Sequence, residues 1–240
     1  MFVFKRKAKF MFNAIFWYMA FLISVTIHEF MHGFVSYKFG DTAAYDAGLV
    51  TLNPYPHIRR EFFGMVVVPF LSLAFAGWMI GWGSSPYTVE WAFRNPRKAS
   101  LMALAGPLSN LALVVVSALA IRVFILIGLF SVPYTVSPGS VVEAGSSGAL
   151  NGLATFLSVL FSLNILLFVF NMIPLPPMDG SSFPVLFMDE RRAVGYMIAI
   201  RKPMFFLIGL FIAWQILKVI FGPVHLGFVN FLYMGIARYG

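Results

Sequence analysis

The sequence predicts an all-α membrane protein, a polytopic bundle of transmembrane helices. Hydrophobic residues make up 60% of its 240 residues and charged residues only 11%, whereas soluble domains carry about 25% charged residues. Several uncharged runs approach or exceed the roughly 20 apolar residues that a helix needs to cross a bilayer. No polar stretch is long enough for a separate soluble module, so we expect residues 1–240 to form one domain.

The apolar runs follow one another with polar connectors between them. Basic residues at 5–9 lead into the first run, and the runs span 10–27, 64–83, 99–121, 150–178 and 204–217, with a last piece after Gly222-Pro223. Asn-Pro and closely spaced prolines interrupt helices, so residues 51–57 are expected to form a loop or short strands. The fold class therefore allows short β-strands near the functional site.

Charge and cysteine content narrow the function classes. The net charge is +8, but the 17 Lys and Arg residues lie mostly between the apolar runs, which is typical of topology signals and lipid-headgroup contacts. We therefore expect the lipid bilayer, and no nucleic acid, as the partner of these charges. The chain has no cysteine, so disulfides and thiolate ligands are excluded and any metal must be held by His and carboxylate groups.

An H-E-x-x-H pattern, His28-Glu29-Phe30-Met31-His32, lies at the end of the first run. Residues four apart lie one turn above each other on a helix face, so His28 and His32 can hold one zinc ion. Glu29 takes the place of the general base in this pattern. A charged side chain within a membrane run is costly and indicates a functional site.

Asp179 is the candidate third ligand. Of nine acidic residues, only Glu29 and Asp179 lie within or at the edge of uncharged runs. Two histidines and one carboxylate leave the fourth zinc position open, as in catalytic sites. Asn171 precedes Asp179 by about two helical turns, so we expect it to face the same site and to hydrogen-bond a substrate carbonyl. The prolines between them indicate irregular backbone, which at membrane depth is tolerated only in protein or along a wet cavity.

The site also constrains the topology. His28 and Asp179 both lie near the C-terminal ends of their runs, so those two runs must point the same way. This requires residues 64–83 to dip in and return, or otherwise to make no net crossing. One group of basic residues then falls on a single side, which the positive-inside rule makes cytoplasmic: Lys38, Arg59, Arg60, Arg94, Arg97, Lys98, Arg191, Arg192, Arg201 and Lys202. The N-terminal cluster and Arg122 depart from this pattern.

Three stretches together resemble the site-2 proteases, which are intramembrane zinc metalloproteases. They are residues 28–33, the motif Gly106-Pro107-Leu108-Ser109-Asn110, and residues 171–180 with their Pro-rich approach to Asp-Gly. The resemblance covers most of the chain and is to the compact prokaryotic branch without PDZ or CBS modules. The residues themselves indicate that the 106–110 motif serves helix packing and a kink.

The resemblance implies a function and a role for each site residue. It implies one zinc ion bound by His28, His32 and Asp179, with Glu29 as catalytic base and Asn171 supporting the substrate or oxyanion. The implied reaction is cleavage of transmembrane protein substrates in the cell membrane, in regulated intramembrane proteolysis. Because a substrate helix must unwind first, we expect it to pair in extended form near residues 51–53 or 65–68.

Two other function classes stay open on the sequence. A different H-E-x-x-H membrane protease would take a glutamate as third ligand, and the candidates lie in polar connectors: Glu61, Glu90, Glu143 and Glu190. A non-enzymatic metal-binding membrane protein, a transporter or an inactive regulator, would keep the ligands but would need no base. The other two histidines are not expected to bind metal; His57 is expected to be structural and His225 to lie at the membrane interface.

Overall fold

The computed structural model describes residues 2–145 and 148–240, and only the backbone of residues 2–13. Within these residues, four helices are long and apolar enough to cross a membrane: Ala14–Lys38, Pro96–Leu126, Ala149–Asn171 and Pro203–Leu232. The predicted all-α transmembrane bundle is confirmed. The side chains of the N-terminal basic cluster lie outside the described part of the chain.

Nine α-helices and two short strands make up the described regions, with one π-helical and one 3-10 helical segment. In chain order the helices are α1 (Phe2–Lys38), α2 (Ala43–Asp46), α3 (Pro54–Arg60), α4 (Val68–Ala76), α5 (Val89–Arg94), α6 (Pro96–Leu126), α7 (Ala149–Asn171), α8 (Glu190–Ile200) and α9 (Pro203–Leu232). The π-helical turn Phe63–Val67 leads into α4, and the 3-10 helix Asp179–Phe187 precedes α8. The strands β1 (Phe130–Ser131) and β2 (Glu143–Ala144) lie between α6 and α7.

Helices α1, α6 and α7 form the packed centre of the bundle. In the most apolar stretch of α7, 61% of the residues are buried, against 17% in that of α9. Helix α7 is therefore central and α9 peripheral. Trp17 and Phe21 of α1 pack with Leu163 of α7 in one apolar cluster. A second apolar cluster includes Ile121 of α6 and Phe161 of α7.

Helices α1 and α7 run in the same direction, as the sequence predicted. His28 contacts Asn110 and His32 contacts the Met102 carbonyl, so the C-terminal part of α1 lies beside the N-terminal half of α6. Asp179, just beyond the end of α7, contacts the same two histidines. The ends of α1 and α7 therefore meet the start of α6, which runs antiparallel to both.

The apolar segment 64–83 folds back on itself, so that its two ends lie close together. After α4 the chain turns at Gly77, whose φ of 76° is readily adopted only by glycine, and continues without regular structure to residue 88. The Trp82 N–H donates to the Gly64 carbonyl over 3.2 Å, and the Ser72 hydroxyl bonds both the N–H and the carbonyl of Ile80. Because the two ends of the segment meet, the prediction that it makes no net crossing is confirmed.

The strands do not lie where a strand was expected. β1 and β2 pair antiparallel beyond the C-terminal end of α6, about 30 Å along that helix from the site described below. Residues 51–53 are irregular and 65–68 are helical, so the expected strands there are wrong. Asn53 instead caps α3 by accepting from the Tyr55 N–H, with Pro54 at the first helical position.

Helix α9 runs unbroken through Gly222-Pro223, where the sequence indicated an interruption. Transmembrane helices tolerate such a proline because neighbouring groups satisfy the freed backbone. α9 approaches the Pro-rich segment closely at Gly209, which lies against the Pro176 carbonyl. A buried bond between His225 and Ser162 ties it to α7.

Candidate metal centre

Two histidines on one face of α1 form the first part of the site. The Nε2 atoms of His28 and His32 lie 3.0 Å apart, and the residues are 7% and 9% exposed. Their four-residue spacing places the rings one turn apart, as the H-E-x-x-H pattern predicts. Both rings are therefore held inside the bundle with the same nitrogen pointing inward.

Asp179 brings the third donor atom. Its Oδ2 lies 3.2 Å from His28 Nε2 and 3.4 Å from His32 Nε2. Among the described residues, these three form the group whose donor atoms are placed to share a metal ion. A carboxylate oxygen and two neutral imidazole nitrogens are donor types that zinc takes from proteins.

The three donor atoms fit a zinc ion. Zinc–ligand bonds of about 2.0 Å in a tetrahedron put neighbouring ligand atoms about 3.3 Å apart, close to the 3.0, 3.2 and 3.4 Å found here. His32 Nδ1 lies 2.9 Å from the Met102 carbonyl, which only accepts, so Nδ1 carries a proton and the neutral form of the ring, the form that binds metal, presents a bare Nε2. Bare imidazole nitrogens beside a carboxylate repel one another unless a cation lies between them.

Because Gly106 has no side chain, α6 leaves space for a metal cation beside the two histidines. A Cβ atom built on Gly106 would overlap the Nε2 atoms of both His28 and His32. Any side chain at this position would enter the space that both nitrogens face. The glycine of the 106–110 motif therefore contributes more than helix packing, since its missing side chain keeps the centre open.

Glu29 lies next to the metal group and is 6% exposed. The irregular segment 77–88 after α4 passes directly over it, and a Cβ on Gly83 would lie 3.0 Å from Glu29 Oε1. Asp41 fixes the end of this segment by accepting from the Thr88 N–H with both carboxylate oxygens. The segment is thus anchored on both sides of Glu29.

Asp179 is positioned by the turns that follow α7. Gly180 lies against the backbone of Asn171 and Met172 so closely that a side chain would not fit. Ser100 of α6 donates to the Ser182 carbonyl over 2.6 Å, and Tyr196 of α8 donates to the Ser181 carbonyl over 2.8 Å. Two neighbouring helices therefore hold the 3-10 helix that begins at Asp179.

The remaining sequence candidates take other positions. Asn171 is the last residue of α7, with its carbonyl against Gly180; its role in catalysis stays a prediction. His57 is buried and bonds the Thr51 carbonyl. The metal group of the described residues contains none of the four glutamates weighed as alternative ligands.

Sequence reasoning missed the partner of His28. Asn110 Oδ1 lies 2.7 Å from His28 Nδ1, although the two residues are 82 positions apart. The available signal was a lone amide in an uncharged helix, which we assigned to helix packing alone. The role of Gly83 could not be recognised from sequence, because it depends on how the segment after α4 passes over Glu29 of α1.

Comparison with known proteins agrees with this geometry. The sequence model of peptidase family M50 matches residues 16–216, which is most of the chain. The chain belongs to peptidase family M50. This confirms the resemblance to site-2 proteases, and zinc is the metal that the family implies.

Curated relatives of this M50 chain carry names that describe them as candidate zinc metalloproteases. YwhC of Bacillus subtilis is 36% identical over 160 residues, covering 66% of this chain and 63% of YwhC. Rip2 of Mycobacterium tuberculosis is 30% identical over 209 residues, covering 85% of this chain and 69% of Rip2. The chain thus matches less than two thirds of the length of YwhC. No solved structure gives a significant match.

Proposed function

We propose that this M50 chain is an intramembrane zinc metalloprotease that hydrolyses peptide bonds in or near transmembrane segments of other proteins. The observation that carries the proposal is the convergence of His28, His32 and Asp179 donor atoms between membrane-spanning helices, with Glu29 beside them. His28, His32 and Asp179 are the proposed ligands of one zinc ion per chain. Zinc held by such ligands supplies Lewis acidity toward water and toward a peptide carbonyl.

Glu29 is the proposed catalytic base. Its carboxylate takes a proton from the attacking water, whose oxygen forms a bond to the carbonyl carbon of the substrate. When the C–N bond breaks, Glu29 returns that proton to the leaving amine. Asn171, at the end of α7, is proposed to donate a hydrogen bond to the substrate carbonyl or oxyanion.

The irregular segment over Glu29, residues 83–86, is the proposed docking edge for an unwound substrate. Within the described residues, the backbone of residues 83–86 forms no hydrogen bond to another backbone segment, so its C=O groups and the N–H groups of residues 83–85 are proposed to pair with the substrate by strand addition. Ser84→Pro removes one backbone N–H, and Ser84→Ala is the matched control that keeps it. We expect the proline variant to lose cleavage at normal zinc content; equal cleavage by both variants would remove this docking edge.

We also propose that residues 1–240 form a single intramembrane domain in the cell membrane, with the site toward the cytoplasmic side. Helices α1, α6 and α7 pack as one bundle, and contacts at Gly209 and His225 attach α9 to it. At the site end of the bundle, α6 begins with Arg97 and Lys98 and α8 carries Arg191 and Arg192. This charge pattern supports a cytoplasmic location for that end.

The test is a comparison of the native chain with Glu29→Gln in lipid vesicles. The probe substrate is a synthetic single-pass peptide with an apolar span of about 20 residues and a central Asn-Gly pair that weakens its helix. We expect zinc to bind both proteins equally, chelator to abolish cleavage by the native chain, and Glu29→Gln to cleave about 100-fold to 10,000-fold more slowly. Zinc binding with equal cleavage by both would refute the base assignment. A native chain that binds zinc and cleaves no membrane peptide would favour the non-enzymatic class.

A further inference from the structure

The three central helices share a buried polar network that ends at a proposed metal ligand. Its members are Ser24 of α1, Asn110 of α6 and Asn164 of α7, and each is 0% exposed. Polar groups are costly in such surroundings unless every donor and acceptor is paired. The way these groups pair therefore decides which atom each residue presents to its neighbour.

Two backbone carbonyls fix which atom donates and which accepts in each hydrogen bond of the network. Asn164 Nδ2 donates to the Leu160 carbonyl over 2.7 Å and to Ser24 Oγ over 2.8 Å. Ser24 Oγ in turn donates to the Ala20 carbonyl over 2.6 Å. Because carbonyl oxygens only accept, the Asn164 amide cannot be flipped, and its Oδ1 must face Asn110 as an acceptor.

The orientation of the Asn110 amide then decides which of its atoms faces His28. Its Nδ2 donates to Asn164 Oδ1 over 2.8 Å and lies 3.4 Å from the Ser24 carbonyl. The remaining atom, Oδ1, is then the acceptor that faces His28 Nδ1 at 2.7 Å. The Nδ1 of His28 must therefore carry a proton, and in the neutral ring the bare nitrogen is Nε2, on the side where Asp179 and His32 lie.

From this chain of bonds we propose that Asn110 and Asn164 are positioning residues that fix the tautomer and ring orientation of His28 for metal binding. Asn110 touches His28 directly, and Asn164 acts through Asn110. The inference rests on the zinc site of the proposed function and extends it to two residues outside the ligand set. Partners of the non-ligating imidazole nitrogen typically change metal affinity 10-fold to 100-fold when removed, as an order of magnitude.

The test measures zinc affinity of the purified full-length chain by competition with a chromophoric chelator. Asn110→Leu removes the acceptor, and we expect its affinity to fall by about 10-fold to 100-fold. Asn110→Asp keeps an acceptor for His28 Nδ1, so we expect an affinity well above that of Asn110→Leu. Asn164→Leu frees the Asn110 amide to flip, and we expect a smaller loss. Ser117→Ala is the control, because this buried serine bonds only carbonyls within α6.

Thermal unfolding of the metal-free variants separates positioning from mere helix packing. Asn110→Asp buries a carboxylate against Asn164 Oδ1, so it should be the least stable variant while binding zinc more tightly than Asn110→Leu. If affinity instead followed stability across the set, or if either leucine variant kept native affinity, the proposal would be overturned. If Asn110→Leu does not fold, Asn164→Leu compared with Asn110→Asp gives the same decision. Native chain that binds zinc but cleaves nothing would remove the proposed function and leave this inference standing.

Discussion

Two regions of the bundle bury histidines on membrane helices, and they differ in what faces each ring. At the metal centre, the Nδ1 atoms of His28 and His32 are paired and their Nε2 atoms converge on the Asp179 carboxylate. In α9, the Nε2 of His225 is itself paired, 2.8 Å from the Ser162 hydroxyl, and Phe221 packs on the ring. Burial of a histidine in the membrane is therefore not sufficient for a site; the free nitrogens must face one another and an acid.

The packing of His225 can be compared with the interfacial position expected for it. It is 8% exposed and lies between α9 and α7, while its depth in the membrane stays a prediction. A neutral hydroxyl pairs its Nε2, which suits a contact between helices. The same type of side chain thus serves attachment in one region and proposed metal binding in the other.

The largest expected effect comes from closing the metal space. Gly106→Ala places a methyl group where both Nε2 atoms point, so zinc binding and cleavage should be lost together. Gly227→Ala, two residues after His225, is the matched control because nothing lies within 4 Å of a Cβ there. Zinc content by atomic absorption checks both. A Gly106→Ala protein with a full complement of zinc would show that the two regions do not differ as described.

A smaller effect should separate the metal from the base. Gly83→Ala brings a methyl group within 3.0 Å of the Glu29 carboxylate, and a displacement of about 1 Å costs about 100-fold in rate. We expect cleavage to fall by that order while zinc affinity is unchanged. Gly139→Ala, where a Cβ makes only ordinary contact with Trp17, should leave both quantities at native values. If Gly83→Ala instead lost zinc, the segment after α4 would be needed for metal binding and not only for the position of Glu29.

Much of the site was accessible from sequence because it depends on local spacing and on the scarcity of acids in apolar runs. The four-residue spacing gave His28 and His32, and the shortage of charge singled out Asp179. The topology of residues 64–83 followed from requiring the ligands to meet. These inferences use one-dimensional patterns that a membrane enforces strongly.

The parts that sequence did not reveal are contacts between distant segments. Asn110 meets His28 across 82 positions, and the Met102 carbonyl meets His32 across 70. Gly106 and Gly83 matter through the absence of a side chain, which a pattern of residue types does not show. A strand was wrongly expected at residues 51–53, because the Asn-Pro pair there starts helix α3.

The smallest expected effect is in the His225 region. Ser162→Ala leaves His225 Nε2 without its partner, and buried hydrogen bonds between membrane helices are worth about 1 kcal/mol. We expect the free energy of unfolding in detergent to fall by about that amount, with zinc affinity and cleavage unchanged. Altered zinc affinity in this variant would mean that the two histidine regions are coupled.

The most direct test of the proposed metal centre is crystallography of the zinc-loaded chain with data collected at the zinc absorption edge. We expect one anomalous peak per chain, at about 2.0–2.2 Å from His28 Nε2, His32 Nε2 and an Asp179 carboxylate oxygen. An anomalous peak on another set of residues, or an Asp179 carboxylate far from a zinc ion held by the two histidines, would contradict it.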